Sequence, residues 1–236
     1  MRRAPKQLTF QGRRLHTGRG GPRVGAGRPP QSARPPVHHV RRPPVPRNCP
    51  SHVTLRVRAG VPALRMRAFV RELRASLRVA CERGGFRVVH YSVQRNHLHL
   101  LVESAGKENL GRGMKAISSR VARAVQRVFD LSGPVLHGRY HLRILRTPRE
   151  VRNALAYVLL NARKHWRERH GALPPALLDE ASSGRWFDGW RRIPGARELP
   201  REAPEVAPPR TWLLSVGWRC HGLIDPAEMP GASTSP

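Results

Sequence analysis

The sequence predicts an α+β fold, a split βαβ antiparallel sheet with helices on one face. Three observations carry this expectation. The tract from Val88 to Glu103 joins two apolar, β-branched-rich runs across a short polar break, which reads as a hairpin. Around it, period-two and helical spacings follow one another as strand, helix, strand, strand, helix, strand. Finally, Thr147-Pro148-Arg149-Glu150 places an N-cap hydroxyl, a proline in the first turn and a glutamate at the third helical position, a capping box.

The apolar pattern begins at His52-Val53-Thr54-Leu55-Arg56-Val57-Arg58, which alternates as a half-buried strand does. A helix is expected from about Ala63 to Arg83, with Leu64, Phe69, Leu73, Leu77 and Ala80 as its apolar stripe and Gly84-Gly85 ending it. The hairpin strands follow near 86–93 and 97–103. A second helix spans roughly Asn109 to Phe129, with Met114, Ile117, Val121, Val125 and Val128 inward. Pro134-Val135-Leu136 and Tyr140–Leu145 read as short strands, and the capped helix runs to about Arg169. This order is the ferredoxin-like pattern.

Three regions are expected. Residues 1–47 form a basic arm, dense in Arg, Pro and Gly and too poor in apolar residues to pack by itself. Residues 48–170 form the domain just described, and 171–236 an irregular extension. That extension holds Trp186, Trp190, Trp212 and Trp218, four of the five tryptophans, so it should dock on the core.

Among 236 residues, 44 are Lys or Arg and 15 are Asp or Glu, a formal net charge of +29, and no acid precedes Glu72. A field of that sign favours a polyanionic partner through counterion release and guanidinium–phosphate pairing. Cys49, Cys81 and Cys220 make no CxxC pair and an odd count, which points to a reducing, cytoplasmic setting. No apolar run reaches membrane-spanning length and no signal-like core opens the chain. The second and third helices carry Arg112, Lys115, Arg120, Arg123, Arg127, Arg163 and Lys164, nearly all of one sign, as a phosphate-tracking surface would.

His97-Leu98-His99 puts two imidazoles on one face of a strand and Leu98 on the other. Such a pair can be two ordinary sheet residues or two ligands of one metal ion. A histidine-triad hydrolase would need a third histidine where this chain has Leu101, and a carboxylate-based transposase is disfavoured because Asp130 is the only aspartate before residue 179. Three tyrosines could supply a nucleophile: Tyr91, Tyr140 and Tyr157, the last with Asn161 one helical turn on. A tyrosine can hold cleaved DNA as a phosphodiester and so keep the bond energy for rejoining.

Taken together, His97-Leu98-His99 on a strand, Gly113-Met114-Lys115, Gly138-Arg139-Tyr140-His141 and the helical Tyr157-x-x-x-Asn161 resemble the single-tyrosine HUH transposases, in particular the transposase relatives associated with repetitive extragenic palindromes (REP). The resemblance covers about residues 50–168. It implies that His97 and His99, with Asn161 where many relatives have a glutamine, hold Mg²⁺ or Mn²⁺. It also implies that Tyr157 attacks single-stranded or hairpin DNA to leave a 5′-phosphotyrosine and a free 3′-hydroxyl. Softness alone would have favoured zinc for paired imidazoles; the resemblance overrides that. Gln94 and Asn96 stand where some relatives carry a carboxylate. Such relatives often act as homodimers. The rival reading is a catalytically inactive or domesticated nucleic-acid-binding protein with a regulatory role. An RNA-binding sheet is a third possibility, although the strands lack the aromatic stacking pattern it would need.

Overall fold

The computed structural model describes residues 43–172, 178–192 and 203–230. The expected basic arm lies outside them up to residue 42. The elements are β1 (Ser51–Arg56), α1 (Arg67–Arg78), β2 (Glu82–Arg83), β3 (Phe86–Val93), β4 (His97–Ser104), α2 (Lys107–Phe129), β5 (His141–Ile144), α3 (Pro148–His170) and α4 (Trp212–Ser215). The sheet order is β2-β3-β4-β1-β5, with every neighbouring pair antiparallel. Apart from the two-residue β2, this is the expected α+β, split βαβ arrangement.

The hairpin and α3 form where the sequence pattern puts them. Thr147 Oγ1 accepts from Glu150 N at 3.2 Å while Glu150 Oε2 accepts from Thr147 N at 3.2 Å, closing the capping box, and Gly171 ends α3 at φ 66°. The first helix is shorter than its stripe suggested. Leu64 is fully buried but not helical, because its amide bonds the Arg95 carbonyl at 2.8 Å. At the other end, Glu82 and Arg83 pair with Arg87 and Phe86 as β2. Proximity of that segment to the hairpin overrides its helical spacing. Likewise Pro134–Leu136 contributes one isolated bridge, Leu136 to Val57, and Tyr140 precedes β5.

The expectation of helices on one face needs correction. Along β4, Leu98, Leu100 and Val102 join Val53 and Leu55 of β1 against α1 and α2, whereas Leu101 turns to the second core with Val151, Leu155, Val158 and Leu159 of α3. The central strands are buried on both faces, and the unbroken run Leu100-Leu101-Val102 is the sequence mark of that. A bulge between Val88 and His90 sends Val89 to the α3 side as well. On the other side, α2 lies so close that a Cβ on Gly113 would fall 2.1 Å from the Phe86 ring, which accounts for glycine there.

Trp190 and Trp218 are buried in the second core beside α3, Trp186 packs at the margin of the first, and Trp212 is 63% exposed. Glu205 is fully buried and anchors its segment: it accepts from Tyr91 Oη at 2.8 Å, from Arg185 Nη2 at 2.9 Å on both oxygens, and from Trp186 Nε1 at 2.6 Å. Burial alone would raise its pKa, but these donors outweigh it and hold the carboxyl below the ordinary range. Among the described residues no helix is long and apolar enough to cross a membrane.

Candidate active site

The α3-facing side of the sheet carries a row of imidazoles. In the β1–β4 register Thr54 lies opposite His99 and Arg56 opposite His97, so side-chain alternation puts His52, Thr54, His97 and His99 on one face. The Nε2 atoms of His97 and His99 are 3.0 Å apart. The other nitrogen of each ring is held from behind: His97 Nδ1 by Asn96 Oδ1 at 2.8 Å, and His99 Nδ1 by His52 Nε2 at 3.0 Å and Thr54 Oγ1 at 3.2 Å.

Burial keeps these rings neutral. It lowers His97 to about 4, helped by Arg56 and His165, and His99 to about 2, helped by His52, His97 and His165. His52 falls to about 4 through burial, then His141 and Arg143. Neutral imidazole is the form that ligates metal.

Tyr157 enters this cluster from α3. Its ring centroid is 5.1 Å from that of His99 and 5.8 Å from that of His52, both edge-on. Burial raises the phenol's pKa, the Glu168 carboxylate adds to that, and the Asn161 amide opposes it. The Asn161 side chain is fully buried, yet neither its Oδ1 nor its Nδ2 makes a hydrogen bond of regular geometry among the described residues. It therefore lies close enough to influence Tyr157 without satisfying itself. A buried carboxamide left in that state costs about 1–3 kcal/mol, and a ligand for its oxygen would relieve this.

The other two tyrosines lie elsewhere. Tyr91 is fully buried in the first core with its hydroxyl on Glu205, and Tyr140 packs against the same core, so both belong to the opposite side of the sheet. Gln94 is buried and donates to Ser92 Oγ at 2.6 Å. Of the basic residues singled out in the sequence, Arg112, Lys115, Arg120, Arg123 and Arg127 sit on α2, across the sheet from the histidines, and Arg127 is ion-paired with Glu72. Arg163 is only 6% exposed and donates to the Ala227 carbonyl. Lys164 is half-buried, 4.0 Å from Glu168.

Sequence reasoning missed His52, Thr54, His165 and Glu168. His165 is two helical turns beyond Tyr157, bonds Glu168 at 2.9 Å through Nδ1, and interacts electrostatically with His97 and His99. The spacing Tyr157, Asn161, His165 at four-residue intervals was the signal for it. On β5, His141 lies opposite Thr54 and Arg143 opposite His52, both exposed on this same face, with Arg143 paired to Glu150 at 3.3 Å.

Among the described residues no group of three or more His, Cys, Asp or Glu side chains is arranged to hold a metal ion. The donors present are two neutral imidazoles and an amide oxygen. The separation of the two Nε2 atoms suits neighbouring ligands on one ion, where metal–nitrogen bonds of about 2.1 Å bring them to roughly this spacing. These residues therefore fit a divalent cation.

Acid should loosen this arrangement. His52, His90, His97 and His99 all have folded-state pKa values lowered from 6.5, to about 4 or below. The unfolded chain takes up protons on these rings between about pH 6.5 and 4 while the folded protein does not, so stability falls as pH drops through that window. The expected result in thermal melts is a midpoint declining steadily from pH 6.5 to 4. A flat profile would show that the rings titrate normally in the fold.

Residues 47–141 match the family model described as "Transposase IS200 like", a span that includes His97 and His99, ends before Tyr157, and is less than half of the chain. It bears out the resemblance read from the histidine strand. No curated protein matches the chain. Among solved structures, a REP-associated tyrosine transposase bound to a REP hairpin is similar at TM-score 0.42 and 14% identity, covering 55% of this chain and 74% of that one. A putative transposase from Deinococcus radiodurans R1 is similar at TM-score 0.35 and 17% identity, covering 41% and 78% respectively.

Proposed function

We propose that this chain, with its IS200-like transposase segment, is a DNA strand transferase that cleaves and rejoins single-stranded or hairpin DNA through Tyr157. The observation that carries this reading is the convergence of Tyr157 with the facing Nε2 atoms of His97 and His99 inside one chain. Tyr157 meets the DNA as a protonated phenol, since its pKa is raised. As its oxygen bonds to phosphorus the phenol proton is released, the P–O3′ bond breaks, and the departing 3′ oxygen takes up a proton. One phosphodiester replaces another, so the cut can be reversed. A divalent ion on His97, His99 and Asn161 would supply Lewis-acid polarisation of the scissile phosphate. Imidazole ligation favours Mn²⁺ over Mg²⁺ in this role. His52, Thr54 and Asn96 orient the ligands, and α3 holds the phenol against them.

The test incubates the protein with hairpin-bearing single-stranded DNA and Mn²⁺, then resolves products on a denaturing gel and maps any adduct by mass spectrometry. An adduct on the peptide containing Tyr157 is the expected result; one on Tyr140 or Tyr91 overturns the assignment. Hairpin binding without any adduct would favour the non-catalytic, regulatory reading.

The charge distribution supports a path for the strand across the histidine face. Arg56, His141 and Arg143 share the catalytic face, whereas the α2 cations are across the sheet. The double variant Arg56→Glu, Arg143→Glu should raise the DNA concentration for half-maximal adduct formation by roughly tenfold, as loss and reversal of two phosphate contacts would. Arg112→Glu with Lys115→Glu should change it less than about threefold at the same salt. The reverse ranking would put the strand on α2.

A further inference from the structure

We propose that His52 is a positioning residue for the metal site, holding the proton of His99 on Nδ1 so that the His99 Nε2 lone pair is free to ligate. The inference rests on reading His97 and His99 as ligands of one divalent cation.

A neutral imidazole has one proton for two nitrogens. For His97 the choice is set by Asn96: its amide oxygen, 2.8 Å from Nδ1, can only accept, so the proton sits on Nδ1 and Nε2 is bare. His99 has no such acceptor-only neighbour. Its Nδ1 meets His52 Nε2 at 3.0 Å and Thr54 Oγ1 at 3.2 Å, each able to donate or accept. Its Nε2, 3.0 Å from the bare His97 Nε2, can close a hydrogen bond to that ring if it carries the proton. In that tautomer His99 offers no lone pair toward His97.

The ligating tautomer needs Nδ1–H with a good acceptor behind it. A ring nitrogen of His52 is the stronger acceptor of the two, and at 3.0 Å against 3.2 Å it is also the nearer to His99 Nδ1. Position is imposed by the fold: His52 and Thr54 alternate onto the face of His99 in the β1–β4 register, and the His52 ring is also wedged edge-on against Tyr157. Outer partners of this kind typically change metal affinity 10–100-fold when removed.

The experiment titrates full-length protein with Mn²⁺ by electron paramagnetic resonance, beside ¹⁵N-histidine NMR with Mg²⁺. His52→Ala should weaken Mn²⁺ binding by roughly 10–100-fold. His52→Gln, whose amide oxygen can accept near the former Nε2, should recover most of it, while Thr54→Val should cost about threefold or less. In the wild type with Mg²⁺, the His99 proton should sit on Nδ1. The inference is overturned if His52→Ala binds Mn²⁺ normally, if His52→Gln is as weak as a folded His52→Ala, or if Mg²⁺-bound His99 has a bare Nδ1. Where His52→Ala does not fold, the comparison of His52→Gln with Thr54→Val carries the test: a loss of Mn²⁺ affinity in Thr54→Val as large as or larger than that in His52→Gln overturns the role of His52. His97→Ala separates the two levels: unchanged Mn²⁺ affinity there sinks the metal-site reading itself, whereas loss there with normal binding in His52→Ala sinks the role of His52 alone.

Discussion

Tyr157→Phe is expected to abolish the covalent protein–DNA adduct, lowering its rate of formation by roughly a thousandfold or more, as removal of a nucleophile does. Phenylalanine keeps the ring that packs edge-on against His99 and His52, so the change is confined to one oxygen. Hairpin affinity should stay close to wild type, and the thermal midpoint should move little, because among the groups that act on its ionisation the only hydrogen-bonding neighbour the hydroxyl loses is the Asn161 amide. The matched controls are decided by place. Tyr91→Phe loses the bond to Glu205 across the sheet and should reduce stability while leaving the adduct intact. Tyr140→Phe should not affect the adduct, since its ring packs on the first core. Persistence of the adduct in Tyr157→Phe would remove the phenol from the chemistry whatever its distance from the histidines.

The largest effect on stability is expected at Glu205. Its carboxylate is fully buried and answers Arg185, Trp186 and Tyr91 at hydrogen-bond distance, with Arg74 at 3.6 Å. Glu205→Ala takes the acceptor away from the Arg185 guanidinium, the Trp186 indole N–H and the Tyr91 hydroxyl at a fully buried position, which costs about 3–5 kcal/mol. For a domain of this size that lowers the thermal midpoint by roughly 6–20 °C. Glu205→Gln keeps an acceptor but loses the charge facing Arg185 and should fall between. A change below about 1 kcal/mol in Glu205→Ala would show that the segment around it is held by other contacts. Where the variant remains folded, adduct formation should survive, because this latch is built on the face away from Tyr157.

Much of the architecture was legible because it is local. The hairpin at 86–93 and 97–104 follows from β-branched runs around a polar break, and α3 from a capping box that the structure closes with both of its hydrogen bonds. The His97, His99 pair and the Tyr157, Asn161 spacing were equally readable, since strand and helix periods alone decide which side chains share a face. What misled was composition. Arginines along α2 and α3 looked like one surface, yet α2 and α3 cover opposite sides of the sheet and Arg163 is buried. Glu205 gave no signal, because its hydrogen-bond partners lie 19 to 114 positions away in the chain.

The choice of Tyr157 among three tyrosines came from a family resemblance; by itself, this sequence determined its class, most of its elements and the pairing of two imidazoles on one strand face. Those are properties of short-range periodicity and capping, in which each residue's surroundings are its own neighbours. Only the tertiary structure decided that the phenol meets the imidazoles, that His52 and Thr54 stand behind His99, and that Asn161 is buried unsatisfied beside them. The reason is physical: strand register and the face a helix covers are set by burying β4 on both sides at once, a choice made between segments distant in the chain.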